Sequence, residues 1–125
     1  MNLTFNEDQP IYLQVKQYLE NSIINGSIKE GERIPSTNEF AKYYNINPAT
    51  AAKGVNELVS ESIITKRRGV GMFVSEGARA RLLEKRRENF YQNYVQPLKV
   101  EAQKLEISEA ELIKMINGGG VKNES

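Results

Sequence analysis

The sequence carries three consecutive cations, Lys66, Arg67 and Arg68, directly before two glycines, Gly69 and Gly71. Ammonium and guanidinium groups donate hydrogen bonds to phosphate oxygens and neutralise their charge. Crowding three such groups at a turn is unfavourable unless a polyanion lies opposite. The glycines predict the turn and would let the chain approach a ligand closely. The chemistry that these residues indicate is therefore the binding of a polyanion.

A second group with binding chemistry begins at Asn47, a good helix N-cap, which is followed by Pro48 at the first helical position. The helical repeat gives this segment two faces. The packing face holds Ala51, Ala52, Val55, Leu58 and Val59, and the opposite face holds Ala49, Thr50, Lys53, Asn56 and Glu57. Small, hydrogen-bonding and cationic groups suit a helix that lies in the major groove of DNA. Any solvated surface helix also has a polar face, so the neighbouring elements decide between the two interpretations.

Composition excludes several other kinds of chemistry. There are no cysteines, which excludes disulfides and thiolate metal sites, and no histidines, which removes the commonest general base and zinc ligand. The net charge of +1 means that any basic surface must come from local clustering. No apolar run is long enough to span a bilayer and the start lacks a signal-peptide pattern, so we expect a cytoplasmic protein without membrane association.

Two helices are predicted ahead of the segment that Pro48 opens. The first occupies residues 10–25, where apolar residues recur at helical spacing before a terminating glycine. A polar loop at residues 27–33 then leads to Ser36 and Glu39, which form a capping box at the start of a short second helix. A tight turn joins this helix to the next. The pair is predicted to be a helix-turn-helix unit.

A β-hairpin is predicted next, with strands at residues 63–66 and 72–75 and the three cations at its tip. A helix-turn-helix followed by such a hairpin is the winged-helix layout, in which the hairpin, or wing, touches DNA beside the groove that the helix enters. We therefore predict a mainly α fold with a small β-hairpin. A winged helix-turn-helix DNA-binding domain is expected at residues 1–76, followed by a short C-terminal helical dimerisation segment.

The C-terminal part of the sequence is predicted to contain helices that dimerise. A stripe of apolar residues at helical spacing consists of Leu83, Phe90, Tyr94, Leu98 and Leu105. Pro97 is expected to kink or interrupt the helix. The same stripe in a second copy of the chain would cover these side chains, and packing against the first helix is the alternative. Residues 77–117 are assigned to dimerisation and residues 118–125 to a disordered tail.

A second basic stretch lies at residues 77–87, where the first domain joins the C-terminal helices. Its cations are Arg79, Arg81, Lys85, Arg86 and Arg87. They are interpreted either as a solvated helix surface or as a flank that adds phosphate contacts.

The ordered combination of motifs resembles the GntR family of bacterial transcription regulators, and more narrowly its small YtrA-like branch. The matching elements are Pro10-Ile11-Tyr12, Gly31 with Ile34-Pro35-Ser36, Asn47-Pro48 with Thr50, and the run from Arg67 to Val74. The resemblance implies a homodimer that binds a two-fold symmetric operator in double-stranded DNA, usually as a repressor. It identifies no small-molecule effector.

Three groups of residues are expected to contact DNA. They are Ser36, Thr37 and Asn38; Asn47, Ala49, Thr50 and Lys53; and Lys66, Arg67, Arg68, Gly69 and Gly71. The first group lies at a helix N-terminus and would donate to phosphates. The second would face the major groove, and the third would follow the backbone while its glycines let the wing approach the minor groove.

The sequence departs from the family pattern at three places. Asn38 stands where the family usually has arginine, Lys53-Gly54 stands for Arg-Ala, and Ser62 stands for the glycine before the first wing strand. Lysine keeps the charge but loses the two-pronged donor that reads guanine. A mid-helix glycine costs about 1 kcal/mol relative to alanine. These changes are expected to shift the weight of DNA binding from the helices to the wing.

Two other functions stay open from the sequence. A winged-helix module that binds protein would use the same fold, and internal pairing of the basic residues with Glu30, Glu32 or Glu76 would favour it. A carboxylate hydrolase would need a buried acidic pair, whereas the acidic residues fall mostly on helix surfaces and in caps. Any effector would need a pocket beside the C-terminal helices or at a dimer interface, because the sequence predicts no separate effector domain.

Overall fold

A computed structural model describes residues 3–119 of the chain. The chain forms two compact units, Met1–Lys85 and Arg86–Ser125. In chain order the elements are α1 (Ile11–Ile24), β1 (Arg33–Ile34), α2 (Thr37–Tyr44), α3 (Pro48–Ser60), β2 (Ile64–Arg67), β3 (Gly71–Val74), α4 (Ala78–Phe90), a π-helical segment (Tyr91–Val95), α5 (Gln96–Lys104) and α6 (Glu109–Gly118). The predicted mainly α fold with a winged helix-turn-helix is confirmed.

Capping hydrogen bonds start α2 and α3 where the sequence predicted them. The Ser36 hydroxyl accepts a hydrogen bond from the Glu39 amide at 3.1 Å, and the Glu39 carboxylate accepts one from the Ser36 amide at 2.9 Å. The Asn47 side chain accepts a hydrogen bond from the Ala49 amide at 2.7 Å. Between the helices, Asn45 adopts the left-handed conformation with φ 56°. Local side-chain chemistry therefore sets the helix-turn-helix geometry.

The packing of α1 against α3 depends on a glycine. The residues that α3 buries are Ala51, Gly54, Val55 and Leu58, whereas Ala52 and Val59 are only half-buried. A Cβ at Gly54 would lie 2.6 Å from the Tyr12 carbonyl oxygen and 3.2 Å from the Val15 side chain. The cost of Gly54 to its helix is therefore accompanied by a packing role that the sequence did not predict. Without a side chain at this position, the two helix backbones can approach closely.

The wing belongs to a three-stranded antiparallel sheet in the order β1-β3-β2. Arg33 is the partner of Phe73 and Ile34 is the partner of Met72, so the loop expected at residues 27–33 ends in a strand. A strand of two residues has no periodic pattern that could reveal it. The inner face of the sheet buries Ile34, Ile64, Met72 and Val74.

The turn of the wing is tighter than predicted. Arg67 of β2 is paired with Gly71 of β3, and only residues 68–70 connect the two strands. Lys66 and Arg67 therefore lie on a strand, and Arg68 alone of the three cations lies in the turn. Lys66 lies on a strand as predicted, whereas the placement of Arg67 and Gly71 between the strands was wrong.

Two arginines of the second basic stretch stabilise the first unit. Arg79 donates a hydrogen bond from Nε to the Ile24 carbonyl at 2.8 Å. Arg81 donates to the carbonyls of Ser62 at 2.7 Å and Glu76 at 3.0 Å. Ser62 has φ 64°, the left-handed conformation that glycine adopts at lower cost. The bond from Arg81 therefore helps to hold the backbone at one of the departures from the family pattern.

An ionic network joins α1, α3 and the first turns of α4. The Lys16 ammonium lies 3.2 Å from Glu57 and 2.7 Å from Glu61, while Lys85 lies 3.3 Å from Glu61 and 3.7 Å from Glu20. Burial is the largest single influence on the Glu61 carboxyl and raises its pKa, but the hydrogen bonds and charges of Lys16 and Lys85 together outweigh burial and lower the pKa. Arg79, Arg81 and Lys85 are exposed but also bind within the protein, a role that neither interpretation of the basic stretch included.

The second unit is helical. The π segment Tyr91–Val95 precedes Pro97, and α5 continues through the proline. Proline lacks an amide proton and its ring crowds the preceding turn, so a wider turn relieves the strain. Pro97 therefore changes the helical geometry without ending the helix. A capping box between Ser108 and Glu111 opens α6, as its sequence pattern predicted.

Apolar side chains of the second unit are largely exposed. The exposed fractions are 55% for Phe90, 65% for Tyr94, 43% for Leu98 and 60% for Leu105. Leu83, the remaining member of the predicted stripe, lies in the first unit and is half-buried. At the other end, α6 includes Gly118, so the expected tail is wrong for that residue. Residues 120–125 of that tail lie outside the described residues.

Gly54→Ala is expected to lower the free energy of unfolding by about 1–3 kcal/mol, because the added methyl overpacks the contact between α1 and α3. Gly118→Ala is the matched control, since Gly118 is also helical and a Cβ there would meet nothing within 4 Å. That variant should be neutral or slightly stabilising. Urea unfolding followed by circular dichroism measures both. A Gly54→Ala protein as stable as the parent would contradict this account of the helix contact.

Candidate nucleic-acid interface

The first predicted contact group lies at the N-terminus of α2. The amides of Thr37 and Asn38 belong to the first turn, where backbone donors have no partner within the helix. Ser36 uses its hydroxyl in the capping box, so its side chain is less available to a ligand than predicted. The hydrogen bond from the Ser36 amide lowers the pKa of the Glu39 carboxyl and keeps it ionised beside these donors. An anion at this helix end therefore needs a cation nearby.

The second group lies on the exposed side of α3. Asn47 and Ala49 are exposed and Thr50 is half-buried, while the Asn47 side-chain oxygen is already used as the helix cap. Lys53 is exposed, and its ammonium lies 4.0 Å from the centroid of the Tyr12 ring. A cation over an aromatic face is attracted by the ring. This contact fixes the Lys53 side chain against the start of α1 while leaving its charge accessible.

The third group lies on the wing, where Lys66, Arg67 and Arg68 are all exposed. The Arg67 guanidinium lies 4.7 Å from the centroid of the Phe73 ring, which orients it on the outer face of the sheet. Within residues 3–119, none of the three cations forms an ion pair with a carboxylate. Gly69 has φ 75° in the turn, a conformation that favours glycine. The wing thus presents positive charge that the described part of the chain does not neutralise.

Two of the three glutamates that were candidates for pairing with these cations bind elsewhere. Glu30 accepts hydrogen bonds from the amides of Gly77 at 2.9 Å and Arg79 at 3.2 Å, which lower the pKa of its carboxyl. Glu32 accepts one from the Lys29 amide at 2.7 Å. The internal pairing that would favour a protein-binding module is therefore not observed between the wing and these residues.

Arg33 is a cation of this region that the sequence did not single out. It is exposed on β1, and its side chain passes beside Gly71 of β3. A single arginine in a polar loop has no distinguishing pattern. Only the pairing of β1 with β3 places it on the wing sheet.

Between residues 3 and 119, no three acidic side chains gather closely enough to hold a metal ion. Over the same range, no helix has both the length and the apolar character to cross a membrane.

Residues 11–74 match the family model for bacterial regulatory proteins of the gntR family. The chain is 39% identical over 75 residues to the HTH-type transcriptional repressor YtrA of Bacillus subtilis, covering 60% of this chain and 58% of that protein. The matched segment thus spans less than two thirds of the length of YtrA.

Solved structures of related proteins share the fold. A GntR family regulator from Bacteroides thetaiotaomicron has a TM-score of 0.70 at 32% identity, covering 86% of this chain and 94% of that one. The DNA-binding domain of AraR in complex with operator ORX1 has a TM-score of 0.55 at 28% identity, covering 60% of this chain and 96% of that one. The second structure shows a similar domain bound to operator DNA.

Arg67→Ala or Arg68→Ala is expected to weaken binding to every DNA duplex and to reduce the slope of log affinity against log salt by roughly 1, because one phosphate contact is lost. Lys114→Ala, which removes a cation from α6, is the charge-matched control and should leave the slope unchanged. Fluorescence anisotropy across a salt series measures the slopes. Identical slopes for wing variants and parent protein would remove the wing from the interface.

Proposed function

The chain belongs to the GntR family of bacterial regulatory proteins, and from this membership we propose that it is a dimeric transcription repressor that binds a palindromic operator. The observation that carries the proposal is the set of unneutralised cations on the wing beside the exposed face of α3. The matched family and relatives are regulators and not enzymes. The proposed site of action is the bacterial cytoplasm, where the DNA lies.

In the proposed complex, the DNA backbone is held at two places. The first-turn amides of Thr37 and Asn38 donate to one phosphate, aided by the positive end of the helix. Lys66, Arg67 and Arg68 neutralise phosphates along the wing. Gly69 and Gly71 have no side chains, so the backbone of the wing can approach the minor groove. These contacts supply affinity and set the register, but they do not read bases.

Sequence is read by α3 in this proposal. Ala49 and Thr50 are small, so the N-terminal part of the helix can approach base edges, where a methyl group contacts thymine and a hydroxyl forms hydrogen bonds. Lys53 lies one turn further along and can donate to an acceptor such as guanine O6. The Tyr12 ring restricts the directions in which the Lys53 ammonium can point.

Dimerisation is proposed from the exposed apolar stripe of the second unit. Several large side chains whose exposed fractions exceed 40% are unusual for a surface that faces only water, and such patches mark contacts with other proteins. A two-fold dimer would cover the same stripe on both copies. It would also present two α3 helices to half-sites about 34–36 Å apart, one turn of DNA, or a multiple of that distance.

Repression is proposed because YtrA, which matches this chain over 75 residues, is named a repressor. A dimer on its operator would exclude polymerase from an overlapping promoter. The proposal requires no effector.

Anisotropy titrations on DNA from upstream of the gene, with a scrambled duplex as control, test the proposed function. The proposal expects tight binding to the upstream DNA alone, with a steeply negative salt slope. No binding to either duplex at low salt would refute it in favour of a protein-binding module.

Lys53→Ala should reduce the preference for upstream over scrambled DNA by roughly tenfold, the discrimination of one base contact. Equal loss on both duplexes would contradict base reading by Lys53.

Leu98→Glu is expected to convert the dimer to monomers, because a charge at the centre of the stripe cannot be buried without a partner. Sedimentation velocity measures the change, and circular dichroism confirms that the helices remain. Gln103→Glu adds the same charge at an exposed position of α5 and should leave the dimer intact. A parent protein that sediments as a monomer at concentrations where it binds the operator would contradict the dimeric arrangement.

A further inference from the structure

Arg33 shares the outer face of the wing sheet with two residues already described. Its Cα partner across the β1–β3 ladder is Phe73. Residues paired across a ladder point to the same face, and Arg67 stacks on Phe73 from β2. Arginines from both neighbours of β3 therefore occupy one surface.

The side chain of Arg33 crosses β3 at a glycine. A Cβ at Gly71 would lie 2.7 Å from Arg33 Nε and 3.4 Å from its Cδ, so any larger residue would displace the arginine in addition to straining the backbone, which has φ 145° there. Gly71 is also the Cα partner of Arg67. The absence of a side chain at Gly71 thus leaves space above β3, and the Arg33 side chain extends through this space from the edge strand β1 towards the wing.

No carboxylate neutralises this pair of arginines within ion-pair distance in the described part of the chain. Glu39 is close enough for the charge of Arg33 to contribute to lowering the pKa of its carboxyl, after the larger effect of the Ser36 hydrogen bonds. That carboxylate is committed to the capping box at 2.9 Å from the Ser36 amide. Two like charges on one small surface are unfavourable alone, and a polyanion across the surface relieves the repulsion.

We infer that Arg33 is a further phosphate-binding residue, which contacts the DNA strand between the start of α2 and the wing, and that Gly71 lacks a side chain to leave room for it. The inference rests on the proposed function. Arg33 lies three residues before Ser36, so it supplies positive charge near the helix end where Asn38 replaces the family's arginine and Glu39 adds negative charge. Its planar guanidinium can donate two parallel hydrogen bonds to one phosphate.

Salt-dependent anisotropy on the upstream and scrambled duplexes tests this role in the full chain. Arg33→Ala should weaken binding to both duplexes by roughly tenfold, the loss of one charge-assisted contact, and reduce the salt slope by about 0.9. Arg33→Lys should keep the slope, because the charge remains, and lose part of the affinity with the two-pronged donor. Lys114→Ala is again the charge-matched control, and urea unfolding confirms that each variant is as stable as the parent.

A double-mutant cycle tests the role of Gly71. Gly71→Ala should weaken binding strongly in the parent and much less in the Arg33→Ala protein, because part of its effect is displacement of the arginine. Additive losses would overturn that part of the inference.

The outcomes separate this inference from the proposed function. Arg33→Ala with parental affinity and slope, while Arg68→Ala lowers both, would overturn the inference and leave the function standing. Weaker binding at an unchanged slope would also overturn it, since Arg33 would then act through the wing structure. A parent protein that binds neither duplex would refute the proposed function itself.

Discussion

The close contact of α1 with α3 is the constraint on which the rest of the first unit depends. At its centre, Gly54 brings the α3 backbone against the Tyr12 carbonyl and Val15. Lys53, one residue before the glycine, reaches the Tyr12 ring, and on the next turns Lys16 binds Glu57 and Glu61. These contacts follow one line along the two helices. A helix held along its length in this way presents its exposed face at a fixed angle, which a shape-complementary groove requires.

Charge is distributed unevenly over a chain whose net charge is only +1. Lys16, Lys85 and their glutamates neutralise one another where three helices meet. Arg79 and Arg81 donate hydrogen bonds to backbone carbonyls. The cations of the wing have no such partners among residues 3–119. A local field therefore forms at the wing without a basic protein overall, which is the distribution expected of a phosphate-binding surface.

The second unit buries far fewer hydrophobic residues than the first. The first unit buries fifteen hydrophobic residues in one core, whereas among the described residues of the second only Ala102 is a buried hydrophobic residue. Helices with so little internal burial depend on a surface outside themselves. We therefore propose dimerisation and DNA binding together, because a dimer would cover these helices and would present two copies of α3 to a two-fold operator.

The elements whose causes are local could be predicted from the sequence alone. The capping boxes at Ser36 and Ser108 and the Asn47 cap involve hydrogen bonds across at most three residues, so the residue pattern predicts them directly. The family resemblance, which includes the motifs at Ser36 and Asn47, was confirmed over residues 11–74. The contact groups for DNA were chosen from these patterns and stay predictions.

Contacts between residues that are far apart in the chain became apparent only in the folded structure. The pairing of Arg33 with Phe73, the need for Gly54 and the bonds of Arg81 each join segments that no local pattern connects. A two-residue strand, a helical glycine and a surface arginine look ordinary in sequence, because their roles come from neighbours that folding supplies. Local hydrogen bonds fix the helices and the turn, whereas the packing of separate segments fixes which charges stay exposed at the interface.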